Sequence, residues 1–201
     1  MPTEITPSSS DPTLATYGSP IGRLTIAARG GSLVGLWVVG QRFFGCPVGI
    51  DEAVASSALD LTSPVSRDSV RAETKWDEAD ARVLRAAASW LDDYFAGKAP
   101  SPAAVPLAPA GTDFQKRVWE AMDAIPYGAT RTYGQIVGQL RGAGIPASAQ
   151  AVGGAVGRNP LLLIRPCHRV VAASGPGGYA AGEHAKAWLL AHEAATASSV
   201  S

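Results

Sequence analysis

Cysteine, histidine and charge of either sign are all scarce in this chain, and each scarcity removes a class of function. Only Cys46 and Cys167 occur in 201 residues. Two cysteines make no disulfide framework, so free thiols in a reducing compartment are expected. The three histidines, His168, His184 and His192, all fall late in the chain. With so few ligands a tetrahedral zinc site is not expected, nor is any other cofactor. No apolar run approaches the ~20 residues of a membrane span, and residues 1–11 lack the basic-then-apolar profile of a secretion signal. The expectation is a cytoplasmic protein without membrane contact. Net charge is zero, from 17 basic and 17 acidic residues. Up to position 110 nine basic residues face twelve acidic ones; after it, eight face five. A mildly basic second half is compatible with a nucleic-acid surface, although many domains without one share the imbalance.

What is present is a hydrophobic fraction of 46%, enough for a real core. Residues 1–12 read as a disordered tail. Leu24, Ile26, Leu33, Val34, Leu36, Trp37, Val38 and Val39, punctuated by Gly30 and Gly31, predict two strands of a hairpin. Residues 41–75 mix Gly, Pro, Ser and Asp with little periodicity and read as a long loop. From Glu78 to Phe95 apolar residues recur at helical spacing, with Gly97 as a stop. A proline-rich stretch, 99–110, reads as a linker and marks the domain boundary.

The second half is densely signposted. Thr112 and Gln115, then Thr132 and Gln135, each make a capping-box pattern. The first opens a helix with Phe114, Val118 and Met122 on one face; the second opens a helix through Leu140. A glycine-containing turn around 142–146 leads to a helix of small residues at 147–157. Two short helices about a turn suggest a helix-turn-helix, with a turn longer than the usual three or four residues. Residues 161–164 read as a buried strand. A Gly-rich loop at 175–182 precedes a last helix containing Trp188, Leu189, His192 and Glu193.

Cys167 carries the candidate chemistry. A thiol is nucleophilic only as thiolate, and at an ordinary pKa of about 8.5 little is ionised at neutral pH. His168, Arg165 and Arg169 lie within two residues and offer a base or positive surroundings. His168 oriented by a carboxylate, with Glu193 as the candidate, serves as a base directly or through one water. Against this, a lone cysteine after an apolar strand is more often an inert core residue. Neighbours in an extended segment also point to opposite faces. Spacing alone supports the two readings equally.

The string Pro166-Cys167-His168-Arg169-Val170 resembles the active-site motif of the O6-alkylguanine-DNA alkyltransferases, also called methylated-DNA–protein-cysteine methyltransferases. Residues 111–120, 125–128 and 132–136 are similar to that family's entry into its helix-turn-helix. Residues 151–155 and Asn159-Pro160 resemble its recognition helix and the hinge before the active site, and 186–193 its last helix. Weaker likenesses at 19–22 and 90–97 extend the resemblance to about residues 15–195.

The resemblance implies an α+β fold: a small N-terminal α/β (ribonuclease H-like) domain at 13–98, the linker at 99–110, a mainly helical winged helix-turn-helix-like alkyltransferase domain at 111–195, and a tail at 196–201. It implies direct-reversal repair, a single-turnover transfer of an alkyl group from O6-alkylguanine, with O4-alkylthymine left open, to Cys167. The partner would be double-stranded DNA, bound by a monomer with cooperativity left open. The second helix would lie in the minor groove, where Ala149, Ala151, Gly153 and Gly154 allow close approach. The damaged nucleotide would be rotated out of the stack. Tyr133 would crowd its 3′ phosphate, and Tyr179 with the backbone around Cys167, Val170 and Ala180 would line the pocket. Asn159 would brace the turn, and Glu193, His168 and a water would generate the thiolate. The product, an S-alkylcysteine, has no easy leaving group. Without the resemblance, Tyr133 and Tyr179 read as half-buried tyrosines and Glu193 as a solvated charge. Arg158 reads equally as a phosphate contact or a helix cap.

Several positions depart from the family pattern. Gln150 stands where an arginine that enters the base stack is usual, which implies weaker DNA binding or flipping. Arg165 replaces an aliphatic residue, and its charge is expected to favour the thiolate. Ala181 is expected to narrow the pocket against bulky alkyl groups. Three other functions compete. A damage-recognition protein of the same fold would have weak or lost transfer; the cysteine opposes this reading, whereas Gln150 keeps it open. A Cys167–His168 hydrolase would turn over repeatedly. A helix-turn-helix regulator would read sequence, yet the recognition helix lacks the cluster of Arg, Asn and Gln that major-groove readout favours.

Overall fold

The computed structural model describes residues 11–63 and 76–197. Near the N-terminus, β1 (Thr13–Ser19), β2 (Gly22–Arg29) and β3 (Ser32–Val38) form an antiparallel meander. The β2–β3 connection is the two-residue loop Gly30-Gly31. Both residues have positive φ, 59° and 73°, as the tight hairpin turn that matches strand twist demands. A two-residue strand, β4 (Leu59–Asp60), adds in parallel beside β1, giving the order β3-β2-β1-β4. The hairpin expected from the apolar pattern is therefore a sheet with β1 inside it. Near-continuous buried runs mark β2 and β3, whereas β1 offers mainly Ala15, Thr16 and Tyr17 to the core.

The segment expected as a loop at 41–75 carries structure in its described part: β4 and a short helix, α1 (Glu52–Ser56), capped by Asp51. Here Phe44, Val48, Ile50 and Ala55 pack on Trp37 and form a small second core. Residues 64–75 of that segment lie outside the described residues, as do residues 1–10 of the expected tail. Helix α2 (Glu78–Phe95) buries Leu84, Ala87, Ala88, Leu91 and Tyr94. Its buried Asp80 accepts from the Gly31 amide (2.7 Å) and the Thr13 hydroxyl (3.0 Å), which fixes the helix across the sheet.

The proline-rich stretch is stitched to the sheet rather than free. A 3-10 turn (Pro102–Ala104) precedes paired bonds from β3, Leu33 N–H to Pro106 O at 2.8 Å and Ala108 N–H to Leu33 O at 2.9 Å. Beyond it come α3 (Asp113–Asp123), α4 (Tyr133–Gly142), α5 (Ala149–Gly157) and α6 (Glu183–Ala197). Both capping boxes are formed: Thr112 and Gln115 exchange bonds of 2.8 and 3.2 Å, Thr132 and Gln135 bonds of 2.7 and 3.1 Å. Helices α4 and α5 pack on α3 and on each other about a turn spanning residues 143–148. A two-stranded parallel ladder, β5 (Arg131–Thr132) with β6 (Val170–Val171), ties the start of α4 to the segment after Cys167. Helix α6 runs to Ala197, so the tail expected from 196 begins inside it.

Residues 161–164 are buried as expected but are not a strand. Leu161 makes one bridge to Leu36, and the chain then coils, with Arg165 N–H bonding Leu161 O at 2.9 Å and Leu163 at φ 68°. One continuous core runs from Ala15 and Leu36 through Leu84 to Val118, Leu162 and Leu189, uniting the two halves. The fold is α+β, a small sheet with its helix followed by a helical second half. Among the described residues no helix is long and apolar enough to cross a membrane.

Candidate functional site

Pro166 turns the chain out of this coil into a 3-10 turn, Cys167–Arg169. Such a turn spreads successive side chains by about 120°, not the 180° of an extended strand. The expectation that Cys167 and His168 face opposite ways, drawn from an extended segment, is corrected accordingly. Cys167 faces a cleft, while His168 and Arg169 both reach Glu193 on α6.

The cleft holds about 380 Å³, within the range of small-molecule sites. Cys167, Asn159, Tyr133, Tyr179, Ala180 and Arg158 all line it, with Gly153 and Gly154 of α5. Val170 lies behind this wall, fully buried, and contributes its carbonyl to the Lys186 ammonium at 2.7 Å. Ala149, Gln150 and Ala151 are exposed on α5 outside the cleft. Ala181 is not among the lining residues, although its neighbour Ala180 is. Arg158 caps the C-terminus of α5, donates to Gly154 O at 3.3 Å and keeps its side chain at the cleft.

Cys167 is 3% exposed. Burial pushes its thiol pKa up; Asn159, Tyr179 and Lys186 pull in the opposite direction without overcoming that. The Asn159 amide accounts for the first of these. Its Nδ2 lies 3.2 Å from Cys167 Sγ, 2.9 Å from Arg165 O and 3.2 Å from Leu161 O, while its Oδ1 accepts from Leu161 N–H at 3.1 Å. One side chain thus holds both the turn and the sulfur. Tyr179 is half-buried, with its hydroxyl oxygen buried and outside regular hydrogen-bond geometry. Its effect on the sulfur is felt as a nearby hydroxyl dipole, and the thiol in turn, after burial, raises the pKa of Tyr179. Tyr133 is half-buried, and burial followed by the Cys167 charge raises its pKa.

Glu193 is the hub. Its carboxylate, 1% exposed, receives His168 Nε2 (2.7 Å), Tyr94 Oη (2.8 Å), the Gly128 amide (3.0 Å) and Arg169 through two nitrogens (2.8 and 3.0 Å). Burial raises a carboxyl pKa, but the bonds and charges of His168 and Arg169 outweigh it and hold Glu193 well below the usual range. Gly128 sits at φ 74°, and a Cβ there would come 2.8 Å from Ala197, so only glycine gives the carboxylate this amide.

His168 is fully buried, and burial lowers its pKa more than Glu193 raises it. The imidazole is therefore neutral at physiological pH. With Nε2 facing an ionised carboxylate, the proton belongs on Nε2 and the lone pair on Nδ1. Nδ1 is buried with no hydrogen-bond partner among the described residues. It is placed to take a proton.

Four residues at the site escaped the sequence reading, Tyr94, Lys186, Arg42 and Phe43, and a fifth, Arg169, was given another role. Tyr94 comes from α2, 99 positions before Glu193. Its only signal was the likeness around 90–97. Arg169 was read as a charge near the thiol, and instead clamps Glu193. Lys186, fully buried, binds Val170 O and Gly178 O. Arg42 and Phe43 reach the cleft from the N-terminal half. Conversely, Arg165 does not serve the thiol. Its Nε donates to both Asp123 oxygens (3.0 and 3.2 Å), and its guanidinium lies over Trp119.

A helix-turn-helix whose second helix borders a cleft, with a buried thiol and a carboxylate-held imidazole at its foot, fits the class of DNA-binding proteins that carry a cysteine in a cleft. Residues 113–195 match the model of the 6-O-methylguanine DNA methyltransferase DNA-binding domain. The methylated-DNA–protein-cysteine methyltransferase of Mycolicibacterium paratuberculosis is 39% identical over 179 residues, 89% of this chain and 90% of that protein. That of Mycobacterium tuberculosis is 40% identical over 176 residues, 87% and 88% of the two chains. Crystal structures of the M. tuberculosis O6-methylguanine methyltransferase, and of M. tuberculosis OGT in complex with DNA, superpose with TM-scores of 0.66 and 0.68. Each is 35% identical and covers 92% of this chain and 94% of its own. The chain belongs to the methylated-DNA–protein-cysteine methyltransferase family.

Proposed function

We propose that this protein reverses alkylation damage in DNA by moving the alkyl group of O6-alkylguanine irreversibly onto Cys167. Family membership carries the coarser statement, DNA repair by alkyl transfer to a protein cysteine. The observation that favours Cys167 is its position at the foot of the cleft, held by Asn159 with the His168–Glu193 pair beside it.

The thiol is buried and protonated at rest, so transfer begins with proton removal. No hydrogen bond joins Cys167 to His168 among the described residues, and the proton passes through one water to Nδ1 of the neutral imidazole. Glu193 stabilises the imidazolium that results, and Asn159 and Lys186 the thiolate. The thiolate then attacks the alkyl carbon in line. The S–C bond forms, the C–O6 bond breaks, and its electron pair leaves with guanine, which takes up a proton from solvent while the imidazolium returns its own to water. A thioether has no good leaving group, so each molecule acts once.

Duplex DNA is the partner. Helix α5 lies in the minor groove with Ala149, Gln150, Ala151 and Gly153 towards it, while Tyr133 and Arg158 meet the backbone of the rotated nucleotide. Small side chains and the degenerate donor pattern of that groove suit binding at any sequence. Incubation with duplex O6-methylguanine DNA is expected to add one methyl mass to the Cys167 peptide, once per molecule, and Cys167→Ser to add none. An unchanged intact mass with the thiol demonstrably free refutes the proposal.

A further inference from the structure

The turn after β3 enters the cleft from the N-terminal half and has no part in the transfer chemistry above. It is fixed at three points. Gln41 Oε1 accepts the Val38 amide at 2.8 Å, Arg42 N–H donates to Ala180 O at 3.1 Å, and Gly40 N–H donates to Glu52 Oε1 at 2.8 Å. The second contact fastens the turn to the segment that carries Tyr179. Phe43 follows with φ 64°, a left-handed conformation that bulky residues rarely adopt and that persists only where the surroundings fix it. Two guanidinium groups lie over its ring, those of Arg42 and Arg158, each 4.7 Å from the centroid. Arg158 comes from the end of α5, so the ring is held from both halves of the molecule. Phe43 lines the cleft together with Leu162, Ala180 and Cys167.

We propose that Phe43 is a specificity-determining wall of this cleft, limiting the size of the alkyl group that can be presented to Cys167. This rests on the alkyl-transfer reading. A phenyl ring carried on a strained, three-point-anchored turn and held by two cations cannot swing aside as an ordinary surface side chain does. A bulky O6 substituent must therefore fit beside it rather than displace it. Shortening the side chain extends the cleft on the N-terminal side and leaves Asn159, His168 and Glu193 untouched.

The test compares single-turnover rates on duplexes carrying O6-methylguanine or O6-benzylguanine, for wild type, Phe43→Leu and Phe43→Ala. Because rates rather than amplitudes are read, and each protein is its own reference, partial loss of folded protein cancels in the benzyl-to-methyl ratio. The ratio is expected to rise from wild type through Phe43→Leu to Phe43→Ala. The total increase should be roughly tenfold or more, the scale on which a hydrophobic pocket discriminates substituents of different size. Phe43→Leu, which keeps an apolar side chain on the turn, carries the test if Phe43→Ala does not fold. A ratio that stays level or falls in variants that still transfer methyl overturns the wall and leaves the transfer reading standing. No mass added to wild type by either duplex overturns both.

Discussion

Replacing Glu193 by glutamine tests whether its carboxylate is the structural keystone that its contacts imply. The substitution preserves shape but removes the charge facing Arg169 and turns an NH2 group towards a set of donors. His168, Tyr94, Gly128 and Arg169 all present N–H or O–H to the two oxygens. An amide offers one oxygen to them, so at least one buried donor is left facing another. Removing one partner of a buried ion pair costs about 3–5 kcal/mol, and Glu193 is 1% exposed with the Arg169 side chain at 11%. For a chain of this length 1 kcal/mol shifts Tm by about 2–4 °C, so Glu193→Gln should melt roughly 6–20 °C below wild type at pH 7.

The pH dependence carries a second signature. Glu193 is ionised in the fold with its pKa depressed, so its contribution is complete above the unfolded value of about 4.3 and is lost as pH falls below it. His168, buried neutral with a lowered pKa, instead penalises the fold once pH drops below about 6.5. Wild type should therefore lose stability in two stages on acidification, and the gap to Glu193→Gln should narrow only in the lower one. Thermal melts by circular dichroism from pH 8 to pH 3 measure both. A Tm within 2 °C of wild type at pH 7 refutes the assignment of Glu193 as the hub.

Two further substitutions probe the thiol and the DNA face. Asn159→Ala removes the amide that lowers the thiol pKa. Transfer at pH 7 should slow roughly tenfold to a hundredfold, the worth of one hydrogen bond to a charged atom, with recovery at higher pH. An unaltered pH–rate profile refutes it. Gln150→Arg places a cation on the exposed face of α5. It should speed transfer, tighten DNA binding and steepen the dependence of log K on log salt by about one. No gain would mean that the glutamine is not what limits binding or flipping.

The local chain determined a good deal unaided. The Thr–x–x–Gln patterns at 112–115 and 132–135 close their capping boxes because every bond lies within four residues. Gly30 and Gly31 likewise make the hairpin whatever surrounds it. The string around Cys167 and the helix-turn-helix before it carried the family, since motif and order survive without coordinates. What sequence could not supply is anything decided by which surfaces meet. Residues 161–164 have a strand's composition, yet only Leu161 finds a bridge to Leu36; the neighbours in space, not the apolar run, ended the pairing. Tyr94 reads as one more apolar-face residue of α2, and becomes a Glu193 partner only when α2 is packed against α6. Arg165 and Arg169 flank the same cysteine at equal distance in the chain. The coil before the 3-10 turn sends the first to Asp123 and the turn itself sends the second to Glu193, because side-chain direction follows backbone dihedrals and not proximity in sequence. The same folding brings Arg42 and Phe43 to a cleft whose cysteine, Cys167, lies more than a hundred residues away.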